Sequence, residues 1–220
     1  MATFHQGVHG LVRGRIGSVV NTIWRRIGIM RIIPASVSNP RTPAQVAQRT
    51  KFALVVQFLR PLLRFVKIGF KGYAVRQTAF NAAMSYHMQH AVVGEFPDQA
   101  IDFSLVRVSQ GTLPRALSAQ ATALGERKVS VSWDPKSDFR DVNPNDQAII
   151  VAYNPDKEHV NYWLDAGVRG DEETEVVMPQ AYTGDTVHIY LLFGAIADLV
   201  HSGTHETISN SVYAGGVIVS

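Results

Sequence analysis

Two histidines three residues apart in "HMQH", His87 and His90, could share a metal ion on one face of a helix. No third ligand stands nearby, so the pair reads as ordinary histidines on a helix surface. "HSGTHE" places His201, His205 and Glu206 in a loop, compatible with a metal but without the spacing of a known site. Asp134, Asp138 and Asp141 crowd "DPKSDFRD", which lacks the oxygen order and terminal Glu of a calcium loop and reads as solvated. The glycines of "GVHGLVRGRIG" could offer backbone N–H groups to a phosphate, yet no Lys-Ser/Thr follows them and no strand clearly precedes them. Nucleophilic catalysis has no Gly-x-Ser-x-Gly elbow and no cysteine to use. The expectation is a protein that is not an enzyme, with no catalytic residue, metal ligand or cofactor to assign.

The charge distribution carries more. Residues 1–94 hold 13 Lys and Arg and no Asp or Glu, whereas residues 95–220 hold the other 8 basic residues and all 18 acids. The two parts therefore carry +13 and −10, the asymmetry expected of a chain that meets a polyanion. Arg13, Arg15, Arg25, Arg26, Arg31 and Arg41 in the first stretch, and Arg49, Arg60, Arg64, Lys67 and Lys71 further on, are the candidate phosphate contacts. No helix-turn-helix or zinc-finger spacing accompanies them, so contact with nucleic acid would be independent of sequence. A second reading is equally physical: the basic part of one copy can meet the acidic part of the next and drive head-to-tail association. Copies of itself are the expected partner under either reading.

These residues need elements to hold them. Gly7, Gly10, Gly14, Gly17 and Gly28 exclude a long helix at the start, while "SVVNTIW" and "IMRIIP" read as the two strands of a β-hairpin whose turn uses Gly28. So short a hairpin is no self-sufficient core, and a partner or neighbouring subunit is expected to order it. In "NPRTPAQ", Asn39-Pro40 marks a turn, and Thr42 with Gln45 makes a capping box that starts a helix at about residue 43. Pro61 is expected to kink or split that helix. At 100° per residue Phe52, Val55, Val56, Leu59, Leu62, Leu63 and Val66 share one face, with Arg49, Arg60, Arg64, Lys67 and Lys71 opposite. A second helix, "RQTAFNAAMSYHMQHAVV", is expected to end at Gly94.

Beyond "GEFPDQA" the texture becomes β. Seven runs, "IDFSLVRVS", "RKVSVSW", "QAIIVAYN", "HVNYWLDAG", "ETEVVMP", "DTVHIYLLFGAI" and "NSVYAGGVIV", are divided by turn residues and predict an antiparallel sandwich. Trp133, Tyr153, Trp163 and Tyr190 are its expected core aromatics. The fold class is α+β: a basic arm with a hairpin over 1–42, a helical segment over 43–94, and a β-sandwich over 95–220. Within the last part, residues of about 103–219 resemble a fibronectin type III-like sandwich, which implies an architecture and no particular function.

The glycine and arginine segment, Trp24 before the hairpin turn, "NPRTPAQVAQRTKF" entering a helix, and the "VSW … YN … MP … TGD" β-domain together resemble a family of uncharacterised proteins common in Bacteroidetes and their mobile elements. The resemblance implies the two-part layout and supplies no site residue. Arginines break every candidate signal segment and no stretch reaches the length of a membrane span, so the expectation is a cytoplasmic or virion protein without a membrane partner. The preferred expectation is a self-assembling structural protein whose basic region contacts nucleic acid. The alternative is a filament, appendage or adhesion subunit whose N-terminal segment docks on a neighbour.

Overall fold

The computed structural model describes residues 3–4, 12–24, 27–36, 38–74, 76–136, 142–194 and 208–220. The chain divides into two compact units, 1–45 and 46–220. In the first, β-branched runs build a four-stranded antiparallel sheet in the order β1-β2-β3-β4: β1 (Thr3–Phe4), β2 (Val12–Ile16), β3 (Val19–Trp24) and β4 (Ile27–Ile32). Ile16 pairs with Val19 across a two-residue turn, where Gly17 takes the positive φ of +57° that such a turn demands. The expected hairpin is β3–β4, but Gly28 is not in its turn. Trp24 pairs with Ile27, so Gly28 stands inside β4 opposite Ile23, drawn into the strand by its isoleucine neighbours. Strand β2 was masked in the sequence by Gly14 and Gly17. Gly14 sits in the strand opposite Asn21 with φ +117°.

Among the described residues the second unit is built on helix α1 (Pro43–Gly69), α2 (Ala79–His90) and nine strands: β5 (Val92–Val93), β6 (Ala100–Ile101), β7 (Ala119–Gly125), β8 (Lys128–Trp133), β9 (Gln147–Asn154), β10 (His159–Trp163), β11 (Glu173–Val177), β12 (Thr186–Gly194) and β13 (Val212–Ile218). Thr42 and Thr78 cap the two helices, accepting from the backbone N–H groups of Gln45 at 3.4 Å and Asn81 at 3.0 Å. Pro61 removes one hydrogen-bond donor but neither ends nor divides α1, which runs on to Gly69. Phe58, Leu59, Leu62, Phe65 and Val66, buried on both sides of the proline, hold the helix against its neighbours.

Among the described residues every pairing between these strands is antiparallel, and an isolated parallel bridge joins Leu113 to Ser209. A four-stranded sheet, β10-β9-β12-β13, stands beside a three-stranded sheet, β11-β8-β7, with β5 and β6 a separate ribbon. The continuous apolar runs of β9 and β12 follow from burial on both faces. Ile149, Val151, Tyr153, Tyr190 and Leu192 enter a core shared with α1 and α2. Their alternates Ala148, Ile150, Ala152, Ile189, Leu191 and Phe193 enter a second core shared with Val129, Val131 and Trp133 of β8. The unit therefore has three layers: helices, four-stranded sheet, three-stranded sheet.

Several boundaries differ from expectation for local reasons. Helix α2 ends at His90 and caps at Ala91; Gly94 serves the β5–β6 ribbon, at φ +79°, where an added Cβ would lie 2.6 Å from the Asp98 carbonyl. "IDFSLVRVS" is no strand past Ile101. Asp102 accepts from the Ser104 N–H at 2.9 Å and turns the chain into the short helical turn Phe103–Leu105, after which Val106 and Val108 enter the helix-side core. In the two facing sheets the strand missing from the sequence reading is β7, whose Ala, Gln, Thr and Gly have weak strand preference.

Candidate interaction surface of the N-terminal sheet

Directly paired residues in a sheet point to the same side, and neighbours along a strand to opposite sides. The pairs Arg15–Val20 and Val20–Arg31 therefore place both arginines on one face. By the same alternation Arg13, Thr22 and Trp24 join that face, with Ile27 and Ile29 through their pairs with Trp24 and Thr22. Three of the expected contact residues thus converge on one sheet surface, which carries an aromatic ring beside the cations and no acid. Arg13, Arg15, Trp24 and Arg31 are all exposed. Arg15 Nε donates to the Gly17 carbonyl at 2.8 Å, which fixes the stem of the side chain at the turn. Arg25 and Arg26 lie outside the described residues. Composition and charge do not point to Trp24, Ile27 and Ile29; their place on this face follows from the period-2 alternation of β3 and β4 together with the register.

A second group sits on α1. Arg49, Arg60, Arg64 and Lys67 fall within an arc of about 60° at 100° per residue, all exposed, while Lys71 lies exposed in the helical turn Lys71–Tyr73 and Arg41 is exposed ahead of the helix. The buried arc is centred near Leu62, turned by about 60° from the expected one at 100° per residue. Phe58 and Phe65 are in the core, whereas Phe52 and Leu63 are exposed. Arg64 borders a cleft of about 610 Å³ with Pro61, His159 and Tyr162, but Glu158 also lines it, so that cleft is not uniformly basic.

The remaining titratable candidates are engaged elsewhere. His87 is not on the helix surface. It is fully buried among Phe58, Phe70 and Tyr86, its Nδ1 donates to the Ala83 carbonyl at 2.7 Å, and burial pushes its pKa down to about 4. His90 is exposed beside Tyr86. Among the described residues no three His, Cys, Asp or Glu side chains are grouped to hold a metal ion. His201, His205, Glu206, Asp138 and Asp141 lie outside those residues. Tyr153 and Tyr190 are aromatics of the helix-side core and Trp133 of the second core, against which Trp163 packs partly buried. Arg169 is the surprise of the acidic part. Fully buried, it lies 3.8 Å over the Phe193 ring, and its Nε and Nη2 donate to Asp146 Oδ2 at 3.2 and 3.1 Å.

The three-stranded sheet turns an acidic side outward. Glu173 and Glu175 alternate with inward Thr174 and Val176 on β11; Glu173 accepts from Ser130 Oγ at 2.5 Å and Glu175 stands 3.8 Å from Lys128 Nζ. Asp171 and Glu172 are exposed just before them.

A four-stranded amphipathic sheet followed by a three-layer α+β unit defines the class of protein. The chain belongs to the Family of unknown function (DUF6266), whose model matches residues 11–215. No curated protein matches it. Among the described residues no helix is long and apolar enough to cross a membrane.

Proposed function

We propose that the chain is a non-enzymatic structural subunit that assembles with copies of itself and uses its N-terminal sheet to bind nucleic acid without sequence preference, as a virion or nucleoprotein component does. One observation carries the reading: the strand register gathers Arg13, Arg15 and Arg31 on one acid-free face beside Trp24. A flat face with cations to neutralise phosphates and a ring to stack on a base suits the backbone of a nucleic acid and reads no base edges. The seven strands β7–β13, in facing sheets of three and four, support the fibronectin type III-like reading of the second unit, an architecture that serves as a packing module.

The test is fluorescence anisotropy with two unrelated oligonucleotides across a salt series. The expected result is similar affinity for both, falling steeply as salt rises. No binding even at low salt, by a protein that still assembles, overturns the nucleic-acid half of the reading.

A second reading is favoured by the acidic outer side of β11. There the arginine face meets Glu173 and Glu175 of a neighbouring copy, and the assembly is a filament or appendage with no nucleic acid. Glu173→Lys with Glu175→Lys would then weaken association and leave nucleic-acid affinity unchanged.

A further inference from the structure

The register that gathers the arginines leaves an opposite face with a different chemistry. Ile16, Val19 and Ile32 form one row across β2, β3 and β4, and Gly14, Asn21 and Met30 form the next. Alternation adds Val12 and Ile23 to the same side. Met30 is 73% exposed and Ile32 72%, and Ile16 is half exposed. Its central polar residue, Asn21, is 5% exposed, so the accessible part of the face is almost wholly hydrocarbon.

We propose that this face stacks on the same face of a second copy, so that two N-terminal sheets become the two layers of an intersubunit sandwich. The proposal rests on the self-assembly reading above and names the surface that serves it. Charge selects the occupant. All three described arginines of the sheet point the other way, so two strongly basic segments can approach through this side without setting like charges against each other. A polyanion or an acidic protein surface finds no cation here to meet. The same geometry turns both arginine faces outward, toward the partner proposed above. Size sets the strength. Three strands about 4.8 Å apart and at most six residues long, rising about 3.3 Å each, give a footprint of roughly 290 Å² on each copy. Doubled over the two copies it stays below the size of stable interfaces, so the dimer is a weak one that forms and dissociates with concentration.

The chain has no cysteine, so single introduced thiols report the geometry in the full-length protein. Met30→Cys and Arg31→Cys are adjacent in β4 and on opposite faces. With a short bis-maleimide, Met30→Cys should give covalent dimers and Arg31→Cys should not. Sedimentation equilibrium should show a wild-type dimer that dissociates on dilution, and Met30→Glu should shift the dimer constant at least tenfold toward monomer. Met30 is mostly in solvent, so an unchanged circular dichroism spectrum is expected for Met30→Glu; Ile32→Glu is the second variant. Equal cross-linking of the two thiols overturns the proposal, as does an assembly whose size survives both Glu substitutions. In the latter case self-assembly stands and uses another surface. A wild-type chain that is monomeric at every concentration overturns the proposal and the self-assembly reading together.

Discussion

Arg15 and Arg31 flank Val20 in a single row across β2, β3 and β4, two strand spacings apart on the same face. Two strand spacings are about 10 Å, close to the Debye length at moderate salt, so the two charges feel each other when the solution is dilute in ions. Residues 1–94 contain no acid to relieve that repulsion. An anionic partner would do so.

Replacing Arg13, Arg15 and Arg31 together by Gln should therefore weaken binding to unrelated oligonucleotides equally. It should flatten the log–log salt dependence by up to roughly three units, about 0.9 for each lost phosphate contact. Anisotropy titrations at several salt concentrations measure both. If these arginines meet a neighbour's acidic sheet instead, the salt dependence of nucleic-acid binding stays and subunit association falls.

His87 gives the fold a defined acid sensitivity. Its pKa in the folded chain is about 4, against 6.5 for an unperturbed imidazole, with burial outweighing the bond to Ala83. As pH falls from 6.5 toward 4 the unfolded chain takes up a proton that the folded chain does not. Stability from this residue is thus complete above pH 6.5 and declines through that window, by up to about 3 kcal/mol at 1.36 kcal/mol per unit. Urea unfolding of the wild type and His87→Leu at pH 7.5 and pH 5 checks it: the pH dependence should shrink in the variant.

Asp146 and Arg169 should show strong non-additivity. Asp146→Ala leaves a buried guanidinium with the Pro114 carbonyl at 2.6 Å and the Phe193 ring as its remaining partners, which should cost about 3–5 kcal/mol. Adding Arg169→Met to that variant removes the uncompensated charge and should recover part of the loss. Denaturant midpoints of the two single variants and the double close the cycle.

A fragment of residues 95–220 should not fold to the native sandwich. It lacks the helices that cover Ile149, Val151, Tyr153, Tyr190 and Leu192, a row of large side chains on a sheet that would face water. The expected outcome is a low-solubility fragment without a cooperative thermal transition. A sharp transition with β-dominated circular dichroism would show that the sheets alone suffice.

The sequence disclosed elements better than it disclosed their neighbours. The runs "QAIIVAYN" and "TVHIYLLFG" stand out as strands because both faces are buried, and Thr42 announces the start of α1 because a cap is a local interaction. Burial on both faces also meant a third layer, and nothing local in β9 says which layer lies on which side. That is why the helices and the sandwich read as successive stretches although they share a core. β7 escaped notice because its strand is imposed by pairing with β8 and not by its own residues. At the N-terminal sheet the arginines were legible as a count. Their convergence on one face was not, since it depends on the pairing of Val20 with both Arg15 and Arg31.

The three-layer order also sets a schedule for synthesis. About 130 residues separate Val66 of α1 from the end of β12 at Gly194, a wait of roughly 6–26 s at about 5–20 residues per second. Through that interval the helix trails from the ribosome with Phe58, Leu62 and Phe65 bare, because the sheet that will cover them has not been made. On its other side it carries Arg60, Arg64 and Lys67, and residues 1–94 hold no acid. While residues 67–94 are being made, nascent chains on neighbouring ribosomes therefore carry only basic charge beside the bare helix and repel one another; from Glu95 onward acids enter and that repulsion declines.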